Sequence, residues 1–245
     1  MRVSVAALTH EGKLRPHNED CIAVGSWINA QPMRAPQLFE QTLELPLAYM
    51  VVDGMGGAAA GEVAARLSAE YLATRVPACG TQSALSECVR AANALLFEHM
   101  RTDAATLGMG ATLAGLRIAA DGVIAFNVGD CRVYRVQDGY LSQLSVDDVP
   151  APAHAAAGRS GVVTQSLGGL TRFREILPHL CHQTLASRTY LLCSDGLYDG
   201  LDLDAMESAI DEDMGSSVSR LFDRAMAAGA NDNISIILLR LRCPP

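Results

Sequence analysis

The sequence predicts an α+β protein built on antiparallel sheets with helices packed against them. Two observations lead there. The apolar runs are short, strand-length blocks joined by turn dipeptides, and the helical segments come as adjacent pairs, one pair before the strand-rich middle and one after it. A doubly wound parallel sheet would instead alternate strand and helix one by one. The 245 residues are 49% hydrophobic and 19% charged, which supplies a substantial core and argues against a disordered chain. No repeat or low-complexity linker interrupts them, so residues 1–245 read as one domain.

Taken in order, 3–8 and 21–24 read as short strands. Residues 47–52 form a continuous apolar run that stops at Asp53-Gly54, the pattern of a buried strand. Val63, Leu67 and Tyr71 recur every four residues and predict a helix over 59–75; Leu85, Val89, Ala92 and Leu96 predict a second over 83–100. Strands follow at 111–118, 123–128, 131–136 and 140–144, with Asp121-Gly122 and Asp138-Gly139 as hairpin turns. Residues 147–161, with Pro150, Pro152, Gly158, Gly161 and a run of alanines, read as a loop. Further strands are predicted at 162–167, 175–184 and 188–194, then helices at 203–211 and 216–228 with Gly229 as the stop, then a last strand over 233–241.

Charge and cysteine usage exclude whole classes. With 27 acidic against 19 basic residues the net charge is −8, the wrong sign for general nucleic-acid binding. No apolar run approaches the ~20 residues of a membrane span, and the N-terminal stretch lacks the long apolar segment of a signal peptide; a cytoplasmic protein is expected. Seven scattered cysteines without a C-x-x-C pair argue against a zinc site or a disulfide framework.

The aspartates carry the chemical signal. Asp20 begins a strand, Asp53 and Asp195 end strands, Asp130 follows one, and Asp232 opens the last. An ionised carboxylate beside buried strands is costly unless paired or metal-bound, and five of one sign brought together would raise each other's pKa unless cations were present. Hard divalent ions with oxygen ligands, Mg2+ or Mn2+, would resolve the conflict. A hairpin turn accounts for Asp121 and Asp138, which have strands on both sides. It does not account for Asp53-Gly54 or Asp195-Gly196, which lead into helices; singly, each of these also reads as a helix cap. In Arg15-Pro16-His17-Asn18-Glu19-Asp20, a guanidinium near an acidic pair could present its fork to a phosphate; alone, Arg15 would read as an exposed loop residue.

The residues in sequence resemble the metal-dependent protein phosphatases of the PPM, or type 2C, family. The similarity runs through Arg15 to Asp20, through Val51-Val52-Asp53-Gly54-Met55-Gly56-Gly57 with Gly61-Glu62-Val63-Ala64, and through Gly110-Ala111-Thr112. It continues through Asn127-Val128-Gly129-Asp130-Cys131-Arg132, Ser166-Leu167-Gly168, Leu192-Cys193-Ser194-Asp195-Gly196-Leu197 and Asn231-Asp232-Asn233, in the family's order along nearly the whole chain. The resemblance implies a four-layer α-β-β-α sandwich, two central antiparallel sheets flanked by helix pairs, with a dinuclear Mn2+ or Mg2+ centre at one end and a weaker third ion beside it. It implies that Asp53 bridges both ions, the Gly54 carbonyl binds one, Asp195 and Asp232 complete the other's shell, and Glu19 and Asp20 bind through water. Asp130 with Asp195 would hold the third ion, Arg15 would bind the substrate phosphate, and Asn233 would neighbour the ligands.

The activity so implied is hydrolysis of phosphoserine and phosphothreonine in proteins by a metal-activated bridging water, opposing a bacterial Ser/Thr kinase, in a monomer. The alternative from another class is a catalytically inactive scaffold of the same fold that binds phosphoprotein partners. Three departures from the family pattern stand out. Met55 follows the Asp-Gly where many members carry His, which leaves a metal-bound water as the proton donor to the leaving group, with His17 second to it. Cys131 replaces a Ser, and the flap segment at 145–163 is short.

Overall fold

The computed structural model describes residues 1–42, 46–56, 60–150 and 162–243. Strands with both faces buried dominate it, and this is why they appear in the sequence as unbroken apolar runs. In β1 (Arg2–His10), Val3, Val5 and Ala7 face one apolar cluster while Ala6 and Leu8 face another. In β5 (Leu47–Met55), Tyr49 and Val51 join the same central cluster as Val3 and Val5, and Ala48, Met50 and Val52 face a third. Period-two alternation therefore assigns three cores to two stacked sheets: one between the sheets and one outside each.

The first sheet has the order β4 (Gln37–Thr42), β1, β13 (Ile234–Arg242), β12 (Arg188–Cys193), β8 (Arg132–Gln137), β9 (Tyr140–Gln143). The second runs β11 (His179–Gln183), β7 (Gly122–Val128), β6 (Gly110–Ala119), β5, β2 (Cys21–Val24), β3 (Trp27–Asn29), with β10 (Leu167–Gly168) pairing β6. Every pairing is antiparallel. Helices α1 (Ala60–Arg75) and α2 (Gln82–Thr102) cover the second sheet through Ala64, Leu72, Val89 and Leu96. On the first sheet lie α3 (Asp195–Tyr198), α4 (Leu203–Glu207) and α5 (Met214–Ala227), which buries Val218 and Leu221. This is the four-layer α-β-β-α arrangement. Among the described residues no helix is long and apolar enough to cross a membrane, and all seven cysteines are free.

Several elements depart from the pattern reading. The run at 47–52 does not stop at Asp53: β5 continues to Met55, because Asp53, Gly54 and Met55 stay in register with Thr112, Ala111 and Gly110. The strand predicted over 162–167 shrinks to Leu167–Gly168, since Gly168 and Gly169 adopt φ of 63° and 74°, and Gly168 N–H donates to the Asn93 side chain rather than to a longer ladder. The helix predicted over 203–211 ends at Glu207. The edge strands β3, only three residues long, and β4, where Leu38 and Phe39 sit among Gln37, Glu40, Gln41 and Thr42, escape the reading. Of the predicted loop at 147–161, residues 151–161 lie outside the described residues.

Candidate metal and phosphate site

Five chain segments reach the same end of the sandwich. Cys193 is in register with both Ile236 and Arg132, so the three central strands of the first sheet finish side by side there. Just beyond, Asp195 opens α3, Asp232 lies two residues before β13, and Asp130 lies two residues before β8. From the second sheet, Asp53 and Gly54 come at the end of β5, and Glu19 and Asp20 directly precede β2. Two glycines permit this crowding. A Cβ on Gly54 would lie 2.2 Å from the Gly61 carbonyl oxygen and 2.6 Å from that of Glu19; one on Gly196 would lie 2.0 Å from the Asn233 carbonyl oxygen.

Arg15, Glu19, Asp53, Gly54, Asp130, Asp195 and Asp232 line one cleft of about 500 Å³, with His17, Met55 and Thr112 also on its walls. Asp20 lies beneath it, wholly buried, accepting a hydrogen bond from Ser194 Oγ at 2.8 Å. Asn233 does not line the cleft. Its amide nitrogen donates to the carbonyls of Glu11 (3.0 Å) and His17 (2.9 Å), and its Oδ1 accepts from Glu19 N–H at 2.8 Å, which fastens the Arg15 loop to β13. Arg15 Nη2 donates to Asp232 Oδ2 at 2.5 Å.

Electrostatics record the crowding. Burial, reinforced by Asp20, Asp195, Asp232 and Asp130, pushes the Asp53 carboxyl well above its ordinary range. Burial followed by repulsion from Asp130 and Asp232 raises Asp195 to about 8. Asp20 is raised to about 6, mainly by burial, against hydrogen bonds from Ser235 and Ser194; Asp130, also mainly through burial, reaches about 6. Glu19 moves upward by burial, and the Arg15 guanidinium is held above its usual value chiefly by its hydrogen bond to Asp232.

Among the described residues no three His, Cys, Asp or Glu side chains stand closed around a metal position, so the carboxylates share a cleft without forming a finished cage. Their chemistry fits a hard cation all the same. Oδ1 of Asp20 and Oδ1 of Asp195 are buried without a hydrogen-bond partner, and the mutual repulsion that raises the pKa values is the conflict divalent cations remove. The donors present are all oxygens, the preference of Mg2+ and Mn2+.

The supports around Asp130 escaped the sequence reading. Tyr198 Oη donates to the Asp130 carbonyl at 2.8 Å, and the Arg132 guanidinium stacks 3.5 Å over the Tyr198 ring while reaching Asp147 Oδ2 at 2.7 Å. Asp148 is a hub: its carboxylate accepts from Gly129 N–H (2.9 Å) and Gln165 Nε2 (2.9 Å), and pairs with His179 Nε2 at 2.8 Å. A doubled carboxylate just after β9, in a chain whose strand-end aspartates mark the site, was the available signal. Cys131 keeps a polar contact despite the missing hydroxyl, with Sγ 3.1 Å from Thr112 Oγ1.

The architecture and the acidic cleft define a class, and a family model described as Protein phosphatase 2C matches residues 37–238; the chain belongs to this family. Serine/threonine protein phosphatase PstP of Mycobacterium tuberculosis is 29% identical over 250 residues, covering 95% of this chain and 44% of PstP. The chain thus spans less than half the length of that relative. Serine/threonine phosphatase stp of Listeria monocytogenes is 26% identical over 251 residues, 94% of this chain and 93% of the relative. A crystal structure of the PstP catalytic domain in complex with two manganese ions is similar at a TM-score of 0.78 and 28% identity, covering 99% of this chain and 100% of that one.

Proposed function

We propose that the chain is a metal-dependent serine/threonine phosphoprotein phosphatase, a cytoplasmic monomer that opposes a Ser/Thr kinase. The observation that carries this reading is the meeting of Asp53, Asp130, Asp195 and Asp232 from both sheets in one cleft with Arg15 at its wall. Family membership and the manganese-bound relative support it.

Asp53, Asp195 and Asp232, with the Gly54 carbonyl, would hold two Mn2+ or Mg2+ ions; Glu19 and Asp20 would act through intervening water, and Asp130 with Asp195 would hold a third. When bound, such ions supply the charge that activates water and neutralises a phosphoryl group. The protein's part is binding and orientation. Arg15 offers guanidinium N–H donors to the phosphate oxygens. Asn233 sets where Arg15 stands by fixing the loop at Glu11, His17 and Glu19. Met55 on the cleft wall carries no transferable proton, so the leaving oxygen is protonated by solvent in the cleft or by His17, which shares that wall.

The test is hydrolysis of p-nitrophenyl phosphate and of a phosphothreonine peptide with added Mn2+ and with EDTA. Turnover with Mn2+, absent in EDTA and reduced more than about a hundredfold in Asp53→Ala, which is roughly 3 kcal/mol of transition-state stabilisation, is the expected result. A folded wild-type protein that turns over neither substrate in Mn2+ would establish the inactive scaffold instead.

A further inference from the structure

Three wholly buried hydroxyls stand where strands of the first sheet reach the acidic end. Thr9, Ser194 and Ser235 are each 0% exposed, although their chain neighbours include Leu8, Cys193, Ile234 and Ile236. A hydroxyl in such surroundings is unfavourable unless it is hydrogen-bonded, so its partners show what it holds. Strand alternation places all three on the face between the sheets: Thr9 shares it with Val5 and Ala7, Ser194 with Leu192, and Ser235 with Ile237. From the second sheet Asp20 enters the same layer, in step with Ile22. It stands opposite Asp53 as the β2–β5 register runs on past Cys21 and Val52. Like charges so placed repel, and Asp20 is the carboxylate that acts most strongly on Asp53.

The protons of this cluster run in one direction. The Ala30 carbonyl can only accept, so the Asn18 amide nitrogen faces it at 3.0 Å and donates also to Thr9 Oγ1 at 2.9 Å. Thr9 and Ser235, opposite each other in the β1–β13 register, are joined Oγ1 to Oγ at 2.8 Å. The Ser235 side chain also bonds the Asp20 carboxyl. An ionised carboxylate only accepts, so Ser235 directs its proton there and Thr9 donates to Ser235. Ser194 Oγ accepts from Ser235 N–H at 2.9 Å and donates to Asp20 Oδ2 at 2.8 Å, a nearer and stronger acceptor than the Asn233 carbonyl at 3.4 Å. Among the described residues Asp20 Oδ1 is left without a partner.

We propose that Thr9, Ser194 and Ser235 are positioning residues: their hydroxyls, aligned by Asn18, lock the Asp20 carboxylate with Oδ1 free for the ions' shell, and so set the affinity for Mn2+ or Mg2+ without touching ion or substrate. The proposal rests on the metal reading of the cleft.

The test is calorimetric titration of Mn2+ into the full chain after EDTA treatment and dialysis. Ser194→Ala and Ser235→Ala are expected to weaken Mn2+ binding about tenfold or more, the usual effect of removing a group that orients a metal ligand. Thr9→Val, which deletes a hydroxyl at nearly constant shape, should weaken it about threefold or more, whereas Thr9→Ser, which keeps the hydroxyl, should bind within about twofold of wild type. In a Ser235→Ala background Thr9→Val should add nothing, because the chain of donors is already cut. A purely structural role would lower the Tm of the metal-free variants and leave Mn2+ affinity unchanged; that result overturns the proposal, as does equal weakening in Thr9→Val and Thr9→Ser. Should an alanine variant fail to fold, the Thr9 pair decides alone. A wild-type chain that binds no Mn2+ refutes the metal reading itself, whereas a wild type that binds, with variants that bind equally well, refutes only the positioning role.

Discussion

Replacing Asp195 by Asn should stabilise the metal-free protein while destroying its activity. In the fold Asp195 ionises at about 8, whereas an aspartate in an unfolded chain does so near 3.9. A folded value raised above the unfolded one means that the folded state holds its proton more tightly. The associated stability is complete below about pH 4 and is lost as pH rises from there towards 8. At pH 7 the loss for this one carboxyl amounts to at most about 4 kcal/mol. Asparagine removes the charge but leaves a buried amide with few partners, since Asp195 Oδ1 has none; roughly half, about 2 kcal/mol, is the expected gain. For a domain of this size that is a rise in Tm of about 4–8 °C. Melting curves of wild type and Asp195→Asn in EDTA at pH 7 measure it directly. At pH 5.5 the wild-type loss falls to about 2 kcal/mol, which the pH-independent cost of the buried amide offsets, so the gap between the two should nearly close. Added Mn2+ should reverse the order by stabilising wild type more than the variant. A variant that melts below wild type in EDTA at pH 7, or a gap that widens on acidification, would refute the reasoning.

Other expectations follow from the same geometry. Arg15→Ala should raise KM for p-nitrophenyl phosphate about tenfold or more, the worth of a charged hydrogen bond to phosphate, with a smaller change in kcat; steady-state kinetics in saturating Mn2+ resolve the two. Asp148→Ala removes the acceptor shared by Gly129, Gln165 and His179 and should cost about 2–3 kcal/mol in urea denaturation, the penalty of stranding partly buried donors. Cys131→Ser preserves the contact with Thr112 and should leave Tm within about 3 °C and turnover within about twofold of wild type, since a buried Sγ-to-Oγ exchange with a partner in place is nearly neutral.

The central strands were legible because burial on both faces makes them continuous apolar runs, as with Ile236 to Leu239 and Ala48 to Val52. The strand-end aspartates were legible because a carboxylate is conspicuous against such runs. Asp20 was recognised as part of the acidic set, but no pattern could show that it lies under the cleft and accepts from Ser194, a contact between residues 174 positions apart. Asp147 and Asp148 were hidden for the opposite reason. They sit among loop residues where acidic side chains are ordinary, and their partners, Arg132 and His179, come from different strands. The bond from Arg15 to Asp232 likewise joins the two ends of the chain, which local periodicity cannot foresee.

The strands that local pattern missed, β3 and β4, lie at the borders of the sheets. β3, β4, β9 and β11 are the four outer strands, three to six residues long against nine or ten for β1, β5, β6 and β13. Gln37, Glu40, Gln41, Ser142, Gln143, His182 and Gln183 give three of them a hydrophilic character. A brief, polar border offers a second chain little to extend by strand addition. The polar majority that hides β4 from a hydropathy reading is thus also what discourages one molecule from stacking edgewise on the next, a safeguard against aggregation in a domain whose interior strands are almost wholly oily.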